Sequence, residues 1–293
     1  MMIYLISPWQ IGFSFDRKSL RRLLRFGVPF QANTFLAVVK DRLMNIFLWK
    51  LVGASGVGIL GWAQKWAQMP LRFVMDSVMK VTFPAYSRMQ DHKEELSKAV
   101  EKTLFFLSLT IFPLLVGIGV LAKPLIFLIP KYSKWEVALL ALYLFIINSV
   151  FAALTTPLTN ALTAIGKIKV VFKLMIMWTV LTWIVYPVLA IKYGFNGVAG
   201  AAAIVSASSV LALWIAKKHL NFRFFASVTK PVLASLLMGV FIWFLSPFLT
   251  YNFWGFLSLV LLGGLVYFSL IYLMVGKSFI EDFKKLFYAF KNR

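Results

Sequence analysis

The chain has 293 residues, 61% hydrophobic and 14% charged, with 31 Lys and Arg against 10 Asp and Glu for a formal net charge of +21. At a mean hydropathy of +0.83, there is too little polar surface to coat a water-soluble globule, which excludes that class. The absence of Cys excludes disulfides, iron–sulfur ligation and thiol chemistry, and the two histidines, His92 and His219, give a histidine metal site little to build on.

Met1–Phe13 is apolar but short, and no basic residue precedes it. It reads as the end of an earlier membrane helix rather than a signal peptide. A basic amphipathic stretch follows, with Arg17, Lys18, Arg21, Arg22 and Arg25. Apolar runs of about 20 residues, each long enough to cross a hydrocarbon core of about 30 Å as a helix, then recur along the chain. They predict spans near 27–49, 57–83, 103–122, 136–161, 170–191, 197–216, 231–248 and 253–275. The class is therefore all-α, a polytopic membrane helix bundle of about eight transmembrane helices.

Charge tests the alternation of these spans. Lys50, Lys123, Lys131, Lys134 and Lys192 fall in one set of loops. Lys40, Arg42, Lys65, Arg72 and Lys80 fall inside spans, and all the remaining Lys and Arg lie in the opposite loops and the two ends. The positive-inside rule puts that rich set in the cytoplasm, so a multi-pass protein of the cytoplasmic (inner) membrane is expected, with both termini cytoplasmic. The basic charge is thus accounted for by topology. It is spread between apolar runs with no nucleic-acid-binding motif, and no nucleic-acid partner is implied.

Trp49, Trp135 and Trp254 fall near predicted outer boundaries, where indole rings favour the interface. The tail 276–293 sets Phe279, Phe283, Leu286, Phe287 and Phe290 against Lys284, Lys285 and Lys291. That pattern predicts an amphipathic helix lying on anionic lipid.

The first two spans break the apolar pattern. The first holds Asn33, Lys40, Asp41, Arg42 and Asn45. The second holds Gln64, Lys65, Gln68, Arg72, Asp76 and Lys80, in which Gln64, Gln68, Arg72, Asp76 and Lys80 follow one another at i+4 and form one polar ridge. Ionisable groups at mid-membrane cost at least about 2.5–3.5 kcal/mol each on insertion scales, so such a ridge faces water, protein or a polar ligand. Internal pairing is one reading: Arg72 with Asp76, and Asp41 with Lys40, Arg42 or Lys65. The other starts from the surplus of Lys40, Arg42, Lys65 and Arg72 over Asp41 and Asp76, which a phosphate-bearing anion would balance. On that reading the four cations bind a pyrophosphate, Asn33, Asn45, Gln64 and Gln68 line the cavity, and Asp41 or Asp76 couples movement to protons or sodium.

Later features are blander. Asn148, Thr155, Thr156, Thr159 and Asn160 make the fourth span polar on its inner half, which reads as interhelical packing ahead of ligand contact. Gly194, Gly197, Gly200 and Ala201–Ala203 read as close helix approach. Gly276-Lys277-Ser278 echoes the end of a phosphate loop, but Ile271 stands where its first Gly belongs, so it is no Walker motif and ATP hydrolysis is not expected. No catalytic residue, metal site or cofactor is implied.

The stretch LLRFGVPFQANTFLAVVKDRLMNIFLWKLVGASGVGILGWAQK, followed by VTFPAYSRMQDHKEEL, PLTNALTAIGKIK and KYGFNGVAGAAAIVSAS, resembles the C-terminal lobe of polysaccharide-repeat flippases. These are the O-antigen and lipid-linked oligosaccharide flippases of the multidrug/oligosaccharidyl-lipid/polysaccharide exporter superfamily. The resemblance implies one six-helix lobe at 27–216, an additional two-helix hairpin at 217–275, a basic cytoplasmic lead-in at 1–26 and the basic tail at 276–293. It also implies translocation of a polyprenyl-pyrophosphate-linked oligosaccharide, with membrane lipids and that substrate as partners, and a basic cavity of which Asp41-Arg42 sits in recognisable family context. The family's first lobe is missing from this sequence, so a separate N-terminal lobe or a homodimer is the implied partner. The alternatives are a multidrug or cation antiporter of the same superfamily, and a membrane glycan polymerase or glycosyltransferase. The first suits an acidic cavity, which this is not. The second needs acids or a base at a water-facing site, and Glu136 alone lies on the outer side.

Overall fold

The computed structural model describes residues 16–250 and 252–276. The expectations for Met1–Phe13 and for the tail from Lys277 onward lie outside them. Eight α-helices follow one another, with no strand among the described residues. They are α1 (Arg17–Val38), α2 (Met44–Arg88), α3 (Lys93–Leu128), α4 (Leu139–Ala164), α5 (Ile168–Ala207), α6 (Val210–His219), α7 (Phe224–Leu249) and α8 (Phe253–Val275). A π-helical turn, Val39–Leu43, joins α1 to α2, and a 3₁₀ segment, Pro130–Ala138, leads into α4.

Helix labels and membrane passes are not the same thing here. α2 has 45 residues and would be about 68 Å long if straight, twice the apolar thickness of a bilayer. It breaks at Gly53, which holds φ 70° and ψ 174°, a conformation that only glycine adopts without strain. α5 breaks in the same way at Gly194, with φ 60° and ψ −142°. A Cβ on Gly197 would sit 1.9 Å from the Leu189 carbonyl oxygen. Eight residues along a straight helix are about 12 Å apart, so the chain doubles back at Gly194. Six helical runs are long and apolar enough to cross a membrane, and the breaks at Gly53 and Gly194 divide two of them, giving eight passes.

The core confirms that the passes alternate in direction. Leu48, Leu60, Ala122, Ile126, Leu139, Ala190 and Val198 share one buried cluster. All lie near the turns at Gly53, the 3₁₀ segment and Gly194. Leu96, Leu104, Leu158, Leu162, Val171, Leu220 and Val228 share another, gathered near the turns at 89–92, 165–167 and 220–223. Successive antiparallel passes alone place these residues at opposite ends. Arg88, Lys93, Lys98, Lys167, Lys169, Lys217, Lys218 and Arg223 all lie on or beside the second set of turns, so the basic loops share one end. At the other end Trp135 stacks on Trp62 with centroids 5.3 Å apart and planes 9° apart, while Trp49 and Trp254 are exposed.

Large apolar side chains remain exposed along the passes, among them Phe73 at 71%, Ile191 at 75% and Leu273 at 78%. Water would not tolerate that surface, and lipid does. Because lipid tails are as apolar as leucine, helices in this solvent associate through close packing and hydrogen bonds. α7 packs on α3 with Gly239 against Val116, and α8 on α7 with Gly263 against Ile242; a Cβ at either glycine would meet the facing side chain at 2.5 Å. The Tyr267 hydroxyl donates to the Leu109 carbonyl across the α8–α3 interface at 2.6 Å. The protein is a multi-pass, all-α membrane bundle.

At its start, α1 is capped by Asp16, whose carboxylate accepts from the Lys18 and Ser19 amides. The Ser19 hydroxyl and those two amides hold its carboxyl below the usual carboxylate range, so the cap is ionised at neutral pH. The helix therefore begins ten residues before the apolar run predicted from the sequence.

Candidate functional site

The π turn Val39–Leu43 carries Lys40, Asp41 and Arg42. A single wide turn inside an α-helix re-aims side chains and is found mostly at functional sites. Lys40 Nζ lies 3.2 Å from Asp41 Oδ1, with the lysine side chain 25% exposed and the aspartate 65%. Of the pairings the sequence allows for Asp41, this is the one that forms.

Both residues line a half-open cavity of about 330 Å³ bounded by the π turn, α4 and α5. Its remaining polar wall combines Asn148, Thr155, Thr156 and Thr159 of α4 with Trp178, Thr182, Tyr186 and Ser206 of α5 and with Ser209. Their hydrogen bonds are already assigned. Thr156 donates to the Ala152 carbonyl at 2.8 Å, Thr159 to Thr156 at 3.0 Å, Thr182 to Trp178 at 2.8 Å and Ser206 to Ala203 at 2.8 Å. Thr155 donates to Phe151 in the same way. Asn148 Nδ2 donates to the Ala202 carbonyl at 3.3 Å. With their protons committed, the hydroxyls and the Asn148 carbonyl offer lone pairs to the cavity. Trp178 Nε1 is a buried donor without a partner.

The ridge on α2 takes no part in this cavity. Gln64 and Gln68 are half-buried, while Lys65, Arg72, Asp76 and Lys80 are exposed on the bundle surface. Arg72 Nη2 donates to Gln68 Oε1 at 3.3 Å, and the Arg72–Asp76 pair considered from sequence does not form. Among the described residues the ion pairs are Lys40–Asp41 and Arg223–Glu101, so Arg42, Lys65 and Arg72 have no acidic partner. Asn45 is exposed and Asn33 half-buried with its Oδ1 unpaired, and neither lines the cavity.

The sequence-predicted group thus separates into two. Lys40 and Asp41, the first half-buried and the second exposed, pair at the wall of a half-open cavity. Arg42, Lys65, Arg72 and Asp76 lie on open surface. The α4 hydroxyls, read from sequence as packing, form part of the polar cavity wall. Their signal was present in hydroxyls at 155, 156 and 159 on one helical stripe. Ser149 does take the packing role, donating to the Ala67 carbonyl at 2.9 Å.

Comparison with known proteins agrees with this architecture. A family model described as "Polysaccharide biosynthesis protein" matches residues 1–140. The chain is 26% identical over 173 residues to the lipopolysaccharide biosynthesis protein WzxC of Escherichia coli K12, covering 58% of this chain and 34% of that one. It is 23% identical over 254 residues to the succinoglycan biosynthesis transport protein ExoT of Rhizobium meliloti, covering 83% and 50%. It is also 23% identical to the teichuronic acid biosynthesis protein TuaB of Bacillus subtilis, covering 79% and 49%. The chain therefore spans between a third and a half of the length of these relatives. Among solved structures, the inward closed conformation of the lipid II flippase MurJ superposes with a TM-score of 0.68 at 23% identity, covering 93% of this chain and 58% of that one. By these matches the chain is similar, over part of their length, to bacterial polysaccharide biosynthesis and transport proteins, and it shares the fold of the solved flippase.

Proposed function

We propose that this chain is the C-terminal lobe of a flippase, with an added helical hairpin at 217–275, that moves a polyprenyl-pyrophosphate-linked oligosaccharide across the cytoplasmic membrane. The observation that carries the reading is a set of exposed cations within the first two passes, Arg42, Lys65 and Arg72, with no acidic partner among the described residues. Guanidinium and ammonium groups at that depth need an anion or a polar cover, and a pyrophosphate is a doubly suitable one. The relatives, named for polysaccharide biosynthesis and transport, supply the context.

The same cations need a protein partner, because lipid cannot solvate them. A second lobe, on another chain or in a second copy, closes the cavity in this reading. The basic end of the bundle faces the cytoplasm, so an inside-negative potential assists outward passage of the anionic headgroup by about 2.3 kcal/mol per charge per 100 mV. The chain performs no bond-making chemistry in this role, and the cationic surplus argues against export of cationic drugs. Native mass spectrometry tests it. Wild-type protein is expected to retain undecaprenyl pyrophosphate and not undecaprenol, and equal retention of the two lipids overturns the reading.

Asp41 and Asp76 are the groups proposed to couple movement to protons or sodium. Asp41 has the stronger placement, at the π turn and against Lys40. In vesicles containing the assembled transporter, Asp41→Asn is expected to abolish the dependence of flipping on pH or sodium. Normal flipping with unchanged pH and sodium dependence in both Asp→Asn variants removes this part of the proposal.

A further inference from the structure

We propose that the half-open cavity beside the π turn receives an uncharged sugar ring of the substrate, while the phosphates stay on the exposed cations outside it. The inference rests on the flippase reading and assigns the two parts of the headgroup to two different places. Charge is the first argument. Lys40 is already matched by Asp41 at 3.2 Å, so a phosphate entering here would have to displace that carboxylate.

Hydrogen-bonding capacity is the second. Thr156 and Thr159 have committed their protons to backbone carbonyls, and Asn148 one of its amide protons to Ala202. They face the cavity with acceptors. A phosphate is itself an acceptor and gains nothing from them, whereas each sugar hydroxyl both donates and accepts. The spare protons of Lys40 supply donors for the ring's other lone pairs. The Trp178 indole also offers an apolar face to the C–H side of a sugar.

Size is the third. About 330 Å³ is the share of roughly eleven liquid waters at about 30 Å³ each, enough for a single pyranose and too little for a polyprenyl tail. It is also far roomier than the close oxygen shell that a small cation requires, and the Lys40 ammonium stands at its wall.

The test uses the purified full chain and two probes in native mass spectrometry, undecaprenyl pyrophosphate and the same lipid carrying one N-acetylglucosamine. Wild type is expected to hold the glycosylated lipid more tightly. The double variant Thr156→Val, Thr159→Val is expected to weaken the glycosylated lipid by about tenfold and the bare lipid by less than twofold, since each lost hydrogen bond is worth about 1 kcal/mol or less in net terms. The single variant Thr159→Val is expected to act in the same direction, by about threefold on the glycosylated lipid, and stands in if the valine pair fails to fold.

Equal affinity of wild type for the two probes overturns the sugar site and leaves the flippase reading standing, as does a variant that weakens both lipids alike. A variant that leaves both lipids untouched but loses sodium-dependent thermal stabilisation assigns the cavity to a cation and also overturns it. Retention of neither lipid by wild type overturns the flippase reading and the sugar site with it.

Discussion

Gly197→Val is expected to lower the melting temperature of the detergent-solubilised protein by about 6–12 °C, a loss on the order of 3 kcal/mol at roughly 2–4 °C per kcal/mol. The added Cβ would stand 1.9 Å from the Leu189 carbonyl oxygen and 2.5 Å from its carbon. Both are backbone atoms of the segment entering the Gly194 turn, so no rotamer change relieves the contact and the hairpin itself must open. Gly200→Val is the matched control. It lies three residues further along the same pass, with nothing within 4 Å of its added Cβ, and a change within about 0.5 kcal/mol is expected. Thermal unfolding followed by circular dichroism reads both. Similar melting temperatures for the two variants would mean that the fifth and sixth passes do not meet through this turn.

The second large effect concerns the exposed cations. Arg72→Gln and Arg42→Gln are each expected to weaken undecaprenyl pyrophosphate binding by about tenfold, from the lower end of the range for hydrogen bonds to a charged group. The lower end is chosen because both side chains are exposed in the single chain and solvent screens them there. Lys40→Gln is expected to cost less than threefold, because its charge is already answered by Asp41. This ordering separates the structural reading from the sequence reading, which treats all four cations alike. Losses of equal size at positions 40, 42 and 72 would return Lys40 to the pyrophosphate site. No loss at 42 or 72 would leave the exposed arginines without the anion-binding role.

Much of the architecture was legible along the chain, for a physical reason. In a bilayer every backbone polar group is satisfied within its own helix, so a pass is a local object defined by about 20 apolar residues. Six of the eight predicted spans lie wholly within helix, while 136–161 begins in the 3₁₀ segment and 197–216 crosses the turn at Ser208–Ser209. The exact character of the turns was less legible. Gly194 reads as a packing glycine in sequence, beside Gly197 and Gly200, yet the three differ in the fold. Gly194 reverses the chain with a positive φ, Gly197 lies against backbone, and Gly200 meets open space. A glycine in sequence carries no mark of its φ, which the packing of the two passes selects.

The candidate site divides along the same line. Composition, hydropathy and the distribution of Lys and Arg determined the membrane class, the count of passes, their alternation and the presence of charges where lipid cannot tolerate them. All of these follow from helix periodicity and transfer free energy, which act residue by residue. Which of those charges meet was decided by tertiary structure alone. The sequence reading assigned the cations of the first pass and of the α2 ridge to one pyrophosphate. The bundle instead sets the Lys40–Asp41 pair beside the hydroxyls of α4, residues more than 100 positions away, and leaves Arg72 outside. A cavity wall is a relation between helices, set by the π turn and by how four passes pack, and no spacing within one helix encodes it.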